Sequence, residues 1–148
     1  MAGATNRPLS PHLQVWKWGP AMLTSILHRV SGNGLATVGL GLLLWWLAAL
    51  AGGPQSYEAF QGWVWADLGK LDWNGFAAIV GALTRIALKF AVIGSTWALF
   101  NHLVSGLRHF VMDIGAGYEL KSNAAWSVFT PLAGLALTVL FWAPMMFK

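Results

Sequence analysis

The residues most capable of chemistry lie in the segment Asn101–His109, at the end of a long apolar stretch. This segment contains His102, Arg108 and His109. Ionisable side chains at membrane depth are costly, so those found there usually have a function. The two histidines are seven residues apart, which on a helix places them on one face and about 10 Å apart along the axis. We therefore expect this segment to form part of a cofactor or quinone site rather than an ordinary lipid-facing helix.

His102 shares its helix face with small residues, because Gly94, Ala98 and Gly106 recur with it at intervals of four. Small residues let another helix or a flat macrocycle approach closely. A neutral imidazole on such a face can ligate a haem iron. The alternative is a histidine that hydrogen-bonds to a neighbouring helix, and the spacing alone leaves both interpretations open.

One haem cannot take both His102 and His109 as axial ligands. Axial ligands approach from opposite sides of the macrocycle, whereas these two histidines share one face of one helix. A bis-histidine haem would need its second ligand from another element, most readily from another subunit. Arg108 and His109 can instead hold haem propionates, or they can reach the lipid headgroups from the helix end.

A second polar cluster consists of Ser25, His28 and Arg29, which share one helical face at positions i, i+3 and i+4. A hydroxyl and a fixed cation can polarise a quinone carbonyl, and the guanidinium stabilises a reduced, anionic quinone without being the proton source. The alternative is a common helix N-terminus with an interfacial arginine. Asp113 can relay protons from water to a reduced quinone, or it can be only a solvated partner of Arg108.

The composition indicates that the helices carrying these clusters lie in a membrane. Hydrophobic residues make up 57% of the 148 residues and charged residues only 9%, against about 25% charged in soluble domains. Three segments, 32–50, 86–112 and 124–145, are long enough to cross a hydrocarbon core of roughly 30 Å. Backbone groups in lipid must be satisfied internally, so these segments are helices. The sequence therefore predicts an all-α membrane protein, a single domain over 1–148 with three transmembrane helices.

The segments outside the spans complete this layout. We predict an amphipathic N-terminal segment and a short interfacial helix around 57–68, between spans 1 and 2. The first span begins just after His28 and Arg29, and the second ends near Arg108 and His109. Because consecutive spans are antiparallel, the two polar clusters are expected at the same membrane face. Slightly more Lys and Arg residues lie on that side than on the other, which predicts a cytoplasmic N-terminus.

Several classes of protein are excluded or disfavoured. The chain has no cysteine, so it forms no disulfide and supplies no thiolate ligand to a metal or an iron–sulfur cluster. It has no basic run of the kind that binds nucleic acid. The N-terminus lacks the pattern of a signal peptide, and we expect a multi-pass protein of the bacterial inner membrane.

Two motifs in register resemble those of a known family, the cytochrome b556 subunits of succinate dehydrogenase. The resemblance covers nearly the whole chain, although the loop after the first span and the third span match only in character. One departure is Trp16, where the family often has tyrosine. The matching motifs are Arg7-Pro8-Leu9-Ser10-Pro11-His12-Leu13 with Ser25-Ile26-Leu27-His28-Arg29-Val30-Ser31-Gly32, and His102-x3-Gly106-x-Arg108-His109-x3-Asp113.

The resemblance implies a membrane anchor of respiratory complex II, succinate:ubiquinone oxidoreductase, an enzyme of electron transport and the tricarboxylic acid cycle. In that family a flavoprotein subunit oxidises succinate, and an iron–sulfur subunit carries the electrons to ubiquinone bound at the anchor. The anchor is usually two small transmembrane subunits that share one haem b. This chain would contribute no succinate-oxidising chemistry of its own.

The resemblance also implies roles for individual residues. His102 corresponds to the axial haem ligand of this subunit, and the opposite ligand would be a histidine of the second anchor subunit. Ser25 and Arg29 correspond to quinone-site residues, and Asp113 lies close to that site. The residues at the positions where the family contacts the haem propionates are His28, Arg29 and His109.

Two alternative functions stay open. The same architecture serves as the anchor of a quinol:fumarate reductase, and no residue in the chain encodes the direction of the reaction. In a haem-free structural anchor or a small transporter subunit, the histidines would only hydrogen-bond between helices.

Overall fold

The computed structural model describes residues 17–146, and within this range the secondary structure is helical. Three of its helices are long and apolar enough to cross a membrane, which confirms the predicted all-α membrane fold. The first contains a π-helical segment, Leu35–Gly39, between α-helical Pro20–Gly34 and Leu40–Ala51. The helices are α1 (Pro20–Ala51), α2 (Pro54–Val64), α3 (Phe76–Asp113) and α4 (Leu120–Met146).

The helices extend beyond the segments that the sequence marks as spans. The first helix, α1, begins at Pro20, well before residue 32, and α3 begins at Phe76, well before residue 86. With 38 residues, α3 is about 57 Å long, whereas a hydrocarbon core is roughly 30 Å thick. The difference arises because a lack of charge marks the lipid-embedded part of a helix. The helix itself begins where the backbone permits, at Pro20 in the first turn.

The loop after α1 contains the predicted interfacial helix, with different bounds. This helix, α2, begins at Pro54, directly after Gly53, which has a φ of 87° that favours glycine. Its buried side chains Phe60 and Val64 pack against Ala49 of α1. This helix ends at Val64, before the predicted end at residue 68, and the short 3₁₀ turn Leu68–Lys70 follows it.

Two cations of α3 hold the end of α2. Lys89 Nζ donates to the Ala66 carbonyl at 2.9 Å, and Arg85 Nε donates to the Gly62 carbonyl at 3.4 Å. The Arg85 guanidinium also lies 4.3 Å from the centre of the Trp63 ring. Gly62 is in the last turn of α2, where carbonyls lack intrahelical partners and carry partial negative charge, and Ala66 lies just after the helix ends at Val64. The two cations therefore join α3 to the C-terminal end of α2 and to the loop that follows it.

The interface between the three long helices is built largely from polar side chains. Without a hydrophobic driving force in lipid, helices associate through small residues and interhelical hydrogen bonds. At Gly134 of α4, a Cβ would lie 3.0 Å from the backbone nitrogen of Asn101, so α3 and α4 approach closely there. The buried polar and charged residues are Thr24, Ser31, Asn101, Ser105, Arg108, Ser127, Thr130 and Thr138.

A proline in α4 explains one of these contacts. Pro131 lies inside the helix and has no N–H to donate to the carbonyl four residues earlier, that of Ser127. Thr24 Oγ1 of α1 donates to this Ser127 carbonyl at 2.6 Å. Both residues are buried, so a donor on α1 satisfies the acceptor that Pro131 leaves unpaired.

The predicted amphipathic N-terminal segment and the motif Arg7–Leu13 lie outside the described residues, as does Trp16.

Candidate functional site

Three histidine side chains from two helices form one cluster. The rings of His28 and His102 are stacked, with centroids 4.0 Å apart and planes inclined by 6°. The His109 ring lies 5.0 Å from His28 at an angle of 58°. His28 belongs to α1 and the other two to α3, and all three are partly buried. The polar ends that the sequence expects at one membrane face are therefore in direct contact.

The ring of His102 is held by the backbone of α1. Its Nδ1 lies 3.1 Å from the carbonyl oxygen of His28 and 3.4 Å from Ser31 Oγ. A carbonyl oxygen only accepts hydrogen bonds, so Nδ1 carries the proton and donates it. In the neutral ring the lone pair is then on Nε2. This is the arrangement in which a histidine presents Nε2 to a metal while its other nitrogen bonds to a backbone carbonyl.

Ser31 and Asn101 complete this contact, and the sequence did not single them out for function. Ser31 Oγ donates to the His28 carbonyl at 2.9 Å and accepts from Asn101 Nδ2 at 3.4 Å. Asn101 is fully buried, and Ser31 is 3% exposed. The available signal was their position: Ser31 is three residues after His28, and Asn101 directly precedes His102.

Ser25 and Arg29 lie next to the histidine cluster but face differently. Arg29 is exposed, and its Nε donates to the Ser25 carbonyl at 3.4 Å. Ser25 is partly buried. His28, one residue before Arg29, turns towards α3 instead. The structure thus divides the motif into an inward histidine and an exposed guanidinium that is bonded to the Ser25 carbonyl.

The side chain of Arg108 contacts a different helix from that of His109. Only 7% of Arg108 is exposed, and its Nη2 donates to Asn123 Oδ1 in the first turn of α4. The sequence had placed Arg108 either at the haem propionates or among the headgroups. It lies instead at the interface between α3 and α4, because consecutive residues on a helix point about 100° apart.

Asp113 is the last residue of α3 and is exposed. The one possible partner that the sequence offered for it, Arg108, is bound to Asn123. Asp113 is therefore exposed and not paired with Arg108, at the same end of α3 as His109.

The small-residue face of α3 is only partly covered by this chain. Ala98 is buried, whereas a Cβ at Gly94 or Gly106 would meet no neighbouring heavy atom within 4 Å. A cavity of about 640 Å³ is lined mainly by apolar residues of all four helices, and none of the candidate site residues lines it. Within residues 17–146, no group of three or more His, Asp or Glu side chains is arranged to hold a metal ion. The three histidines are each only partly buried, so their cluster reaches the surface of this chain.

The chain matches known proteins over most of its length. The model of the family described as succinate dehydrogenase/fumarate reductase transmembrane subunit matches residues 4–141. The succinate dehydrogenase cytochrome b556 subunit of Paracoccus denitrificans is 37% identical over 141 residues, which cover 92% of this chain and 93% of the relative. The corresponding subunit of Rickettsia felis is 29% identical, with 93% and 91% covered. The mitochondrial cytochrome b560 subunit of Mus musculus is 31% identical, with 93% and 66% covered. The chain therefore belongs to the family of succinate dehydrogenase and fumarate reductase transmembrane subunits, as a cytochrome b-type membrane anchor of complex II.

Proposed function

We propose that this chain binds haem b through His102 and forms part of the site at which complex II reduces ubiquinone with electrons from succinate. The observation that carries this proposal is the hydrogen bond from His102 Nδ1 to the His28 carbonyl. With Nδ1 donating to this carbonyl, the lone pair that would bind a haem iron is on Nε2, and Nε2 makes no hydrogen bond with the other described residues.

The chemistry of the site fits a haem that is shared with a second subunit. Haem supplies reversible one-electron exchange when bound. His28 would not bind the same iron as His102, because its ring is stacked face to face on the His102 ring and leaves no room for a haem between them. We assign the opposite ligand to a histidine of a second small anchor subunit, which would also cover the open surface at Gly106.

The propionates are assigned to His28, Arg29 and His109. These groups lie at one end of the helix pair, where the ring of His28 contacts that of His109. His28 Nδ1 is buried and has no hydrogen-bond partner among the described residues. A buried polar atom without a partner is costly, and a propionate oxygen would supply the missing partner if this nitrogen carries the proton.

The quinone is assigned to Ser25 and Arg29. With Nε bonded to the Ser25 carbonyl, the Arg29 guanidinium still has its Nη groups to donate to a quinone oxygen. Its charge is permanent, so it polarises the carbonyl and stabilises the reduced anion, while the proton comes from elsewhere. We assign that relay to Asp113, which is exposed at the same end of the bundle.

The remaining partners follow from the chemistry that the chain lacks. It has no cysteine and so cannot hold an iron–sulfur cluster through thiolates. We infer that a flavoprotein and an iron–sulfur subunit dock at the face that carries Arg29 and Asp113. We place the complex in a bacterial inner membrane, with this face and the N-terminus in the cytoplasm.

The test is the reduced-minus-oxidised spectrum of the purified complex with His102→Ala. We expect the b-type absorbance to be lost. Leu103→Ala is the matched control, because Leu103 is the next residue on α3 and is 54% exposed, and it should keep the absorbance. A full b-type signal in the His102 variant would overturn the ligand assignment.

Two other functions have a specific observation in their favour. The family model covers fumarate reductase anchors as well, and co-purification of menaquinone instead of ubiquinone would favour that direction. The bond from His102 to the His28 carbonyl is also what a haem-free anchor would use to join two helices. Such an anchor would show no b-type absorbance in the unmodified complex.

A further inference from the structure

The backbone of α1 passes unusually close to the ring of His102 at Gly32. A Cβ at this position would lie 2.8 Å from His102 Cε1 and 3.3 Å from His102 Nδ1. A contact of 2.8 Å is shorter than real Cβ atoms make, so any residue with a side chain would push the ring away. The ring cannot move freely, because it is stacked on His28 and bonded to the carbonyl of that residue.

Two glycines near the cluster on the same two helices have open space instead. A Cβ at Gly34, two residues further along α1, would meet no heavy atom within 4 Å. The same holds for Gly106, one turn after His102. The close approach to the His102 ring is therefore specific to Gly32, whereas the close approach of Gly134 is to Asn101.

Ser31 controls the acceptor to which His102 is bonded. Its hydroxyl donates to the His28 carbonyl at 2.9 Å, which is the same oxygen that accepts from His102 Nδ1 at 3.1 Å. Ser31 Oγ also lies 3.4 Å from Nδ1, but the carbonyl is closer and is the main acceptor of the Nδ1 proton. Because the two donors share this carbonyl, the serine hydroxyl weakens the bond between the carbonyl and the Nδ1 proton. A stronger bond at Nδ1 would make Nε2 more basic.

We propose that Gly32 and Ser31 are positioning residues for His102. Gly32 leaves room for the His102 ring and so determines the direction in which Nε2 points. Ser31 determines the strength of the hydrogen bond between His102 Nδ1 and the His28 carbonyl. The proposal rests on the proposed function, in which His102 Nε2 binds the haem iron. The basicity of an axial ligand is one of the means by which a protein tunes the potential of a haem.

The first test compares Gly32→Ala with Gly34→Ala in the assembled complex. An added Cβ at Gly32 pushes the ring away from the carbonyl and weakens the bond at Nδ1. We expect the haem midpoint potential to rise, and the electron paramagnetic resonance spectrum of the oxidised haem to shift. Gly34→Ala should match the unmodified complex in both measurements. Identical potentials and spectra for the two variants would overturn the role of Gly32.

The second test uses a substitution that adds no bulk, so it can be carried out even if the Gly32 variant does not assemble. Ser31→Ala removes the competing donor, so the bond at Nδ1 strengthens and the midpoint potential is expected to fall. Thr37→Ala is the control, because Thr37 is exposed and its hydroxyl donates to the Asn33 carbonyl of its own helix at 2.8 Å. An unchanged or raised potential in Ser31→Ala would overturn the role of Ser31.

Failure of this proposal is distinguishable from failure of the proposed function. If His102→Ala keeps the full b-type absorbance, the haem ligand itself is wrongly assigned. If His102→Ala loses the absorbance, while Gly32→Ala and Ser31→Ala leave potential and spectrum unchanged, only the positioning roles are wrong.

Discussion

Arg108 Nη2 donates a hydrogen bond to Asn123 Oδ1 across the interface between α3 and α4. Only 7% of Arg108 is exposed, and among the described residues no carboxylate lies within ion-pairing distance of it. A buried guanidinium without its partner is strongly unfavourable, so Asn123 is a structural requirement of the third span.

We therefore expect Asn123→Ala to destabilise the protein by about 1.5–3 kcal/mol, the usual range for a hydrogen bond to a charged group. Thermal unfolding of the purified protein in detergent measures this loss. Asn33→Ala is the matched control, because Asn33 is exposed on α1 and should be nearly neutral. Equal stability of the two variants would show that water or lipid satisfies Arg108 instead.

The bond from Thr24 to the Ser127 carbonyl predicts a coupling with Pro131. Thr24→Val keeps the shape of the side chain but removes the donor, and we expect it to cost about 0.6–1.7 kcal/mol, as interhelical hydrogen bonds in membranes do. In a Pro131→Ala background the new N–H can bond to the Ser127 carbonyl, so the same substitution should cost less. A double-mutant cycle on unfolding free energies tests this, and equal costs in both backgrounds would contradict it.

Arg29 is expected to act in quinone reduction and not in succinate oxidation. Arg29→Ala should lower succinate-driven reduction of ubiquinone at least tenfold, which corresponds to about 1.4 kcal/mol or more of lost stabilisation. Reduction of a soluble dye by succinate should be largely unchanged. Lys70→Ala removes an exposed cation that is bonded only to Asp67 and should leave both activities intact. Equal loss of both activities in the Arg29 variant would indicate failed assembly.

Asp113 is expected to supply protons to the reduced quinone. Asp113→Asn should slow ubiquinone reduction several-fold, and the deficit should grow as the pH rises, because fewer protons are then available directly from water. The control is Glu119→Gln, which removes another exposed carboxylate after α3. A pH profile for Asp113→Asn that is parallel to that of the unmodified complex would rule out the relay.

The sequence predicted the convergence of the two histidine segments by elementary reasoning. Consecutive transmembrane helices are antiparallel, so the start of one and the end of the next share a membrane face. His28 and His109 are accordingly in contact. The helix bounds were less predictable. Charge marks where a helix leaves lipid, whereas the start of α1 depends on Pro20 and that of α3 follows Gly75.

The spacing of residues along the sequence could not predict the direction of each side chain within the site. His109 and Arg108 are neighbours in the chain, yet one contacts α1 and the other α4. Spacing shows that two residues differ in direction on a helix, but it does not show which neighbouring helix lies on each side. The same limit applies to Ser31 and Asn101, whose roles depend on how α1 and α3 are rotated against each other.

The sequence by itself determined a membrane protein of three spans, because apolar length and low charge are properties of each segment taken alone. It also determined that the polar ends of the first two spans share one face. Only the tertiary structure decided that His102 gives its Nδ1 proton to a carbonyl of α1, and that Gly32 leaves room for its ring. Those contacts depend on the rotation and separation of two packed helices, which arise from the whole interface and from no single segment.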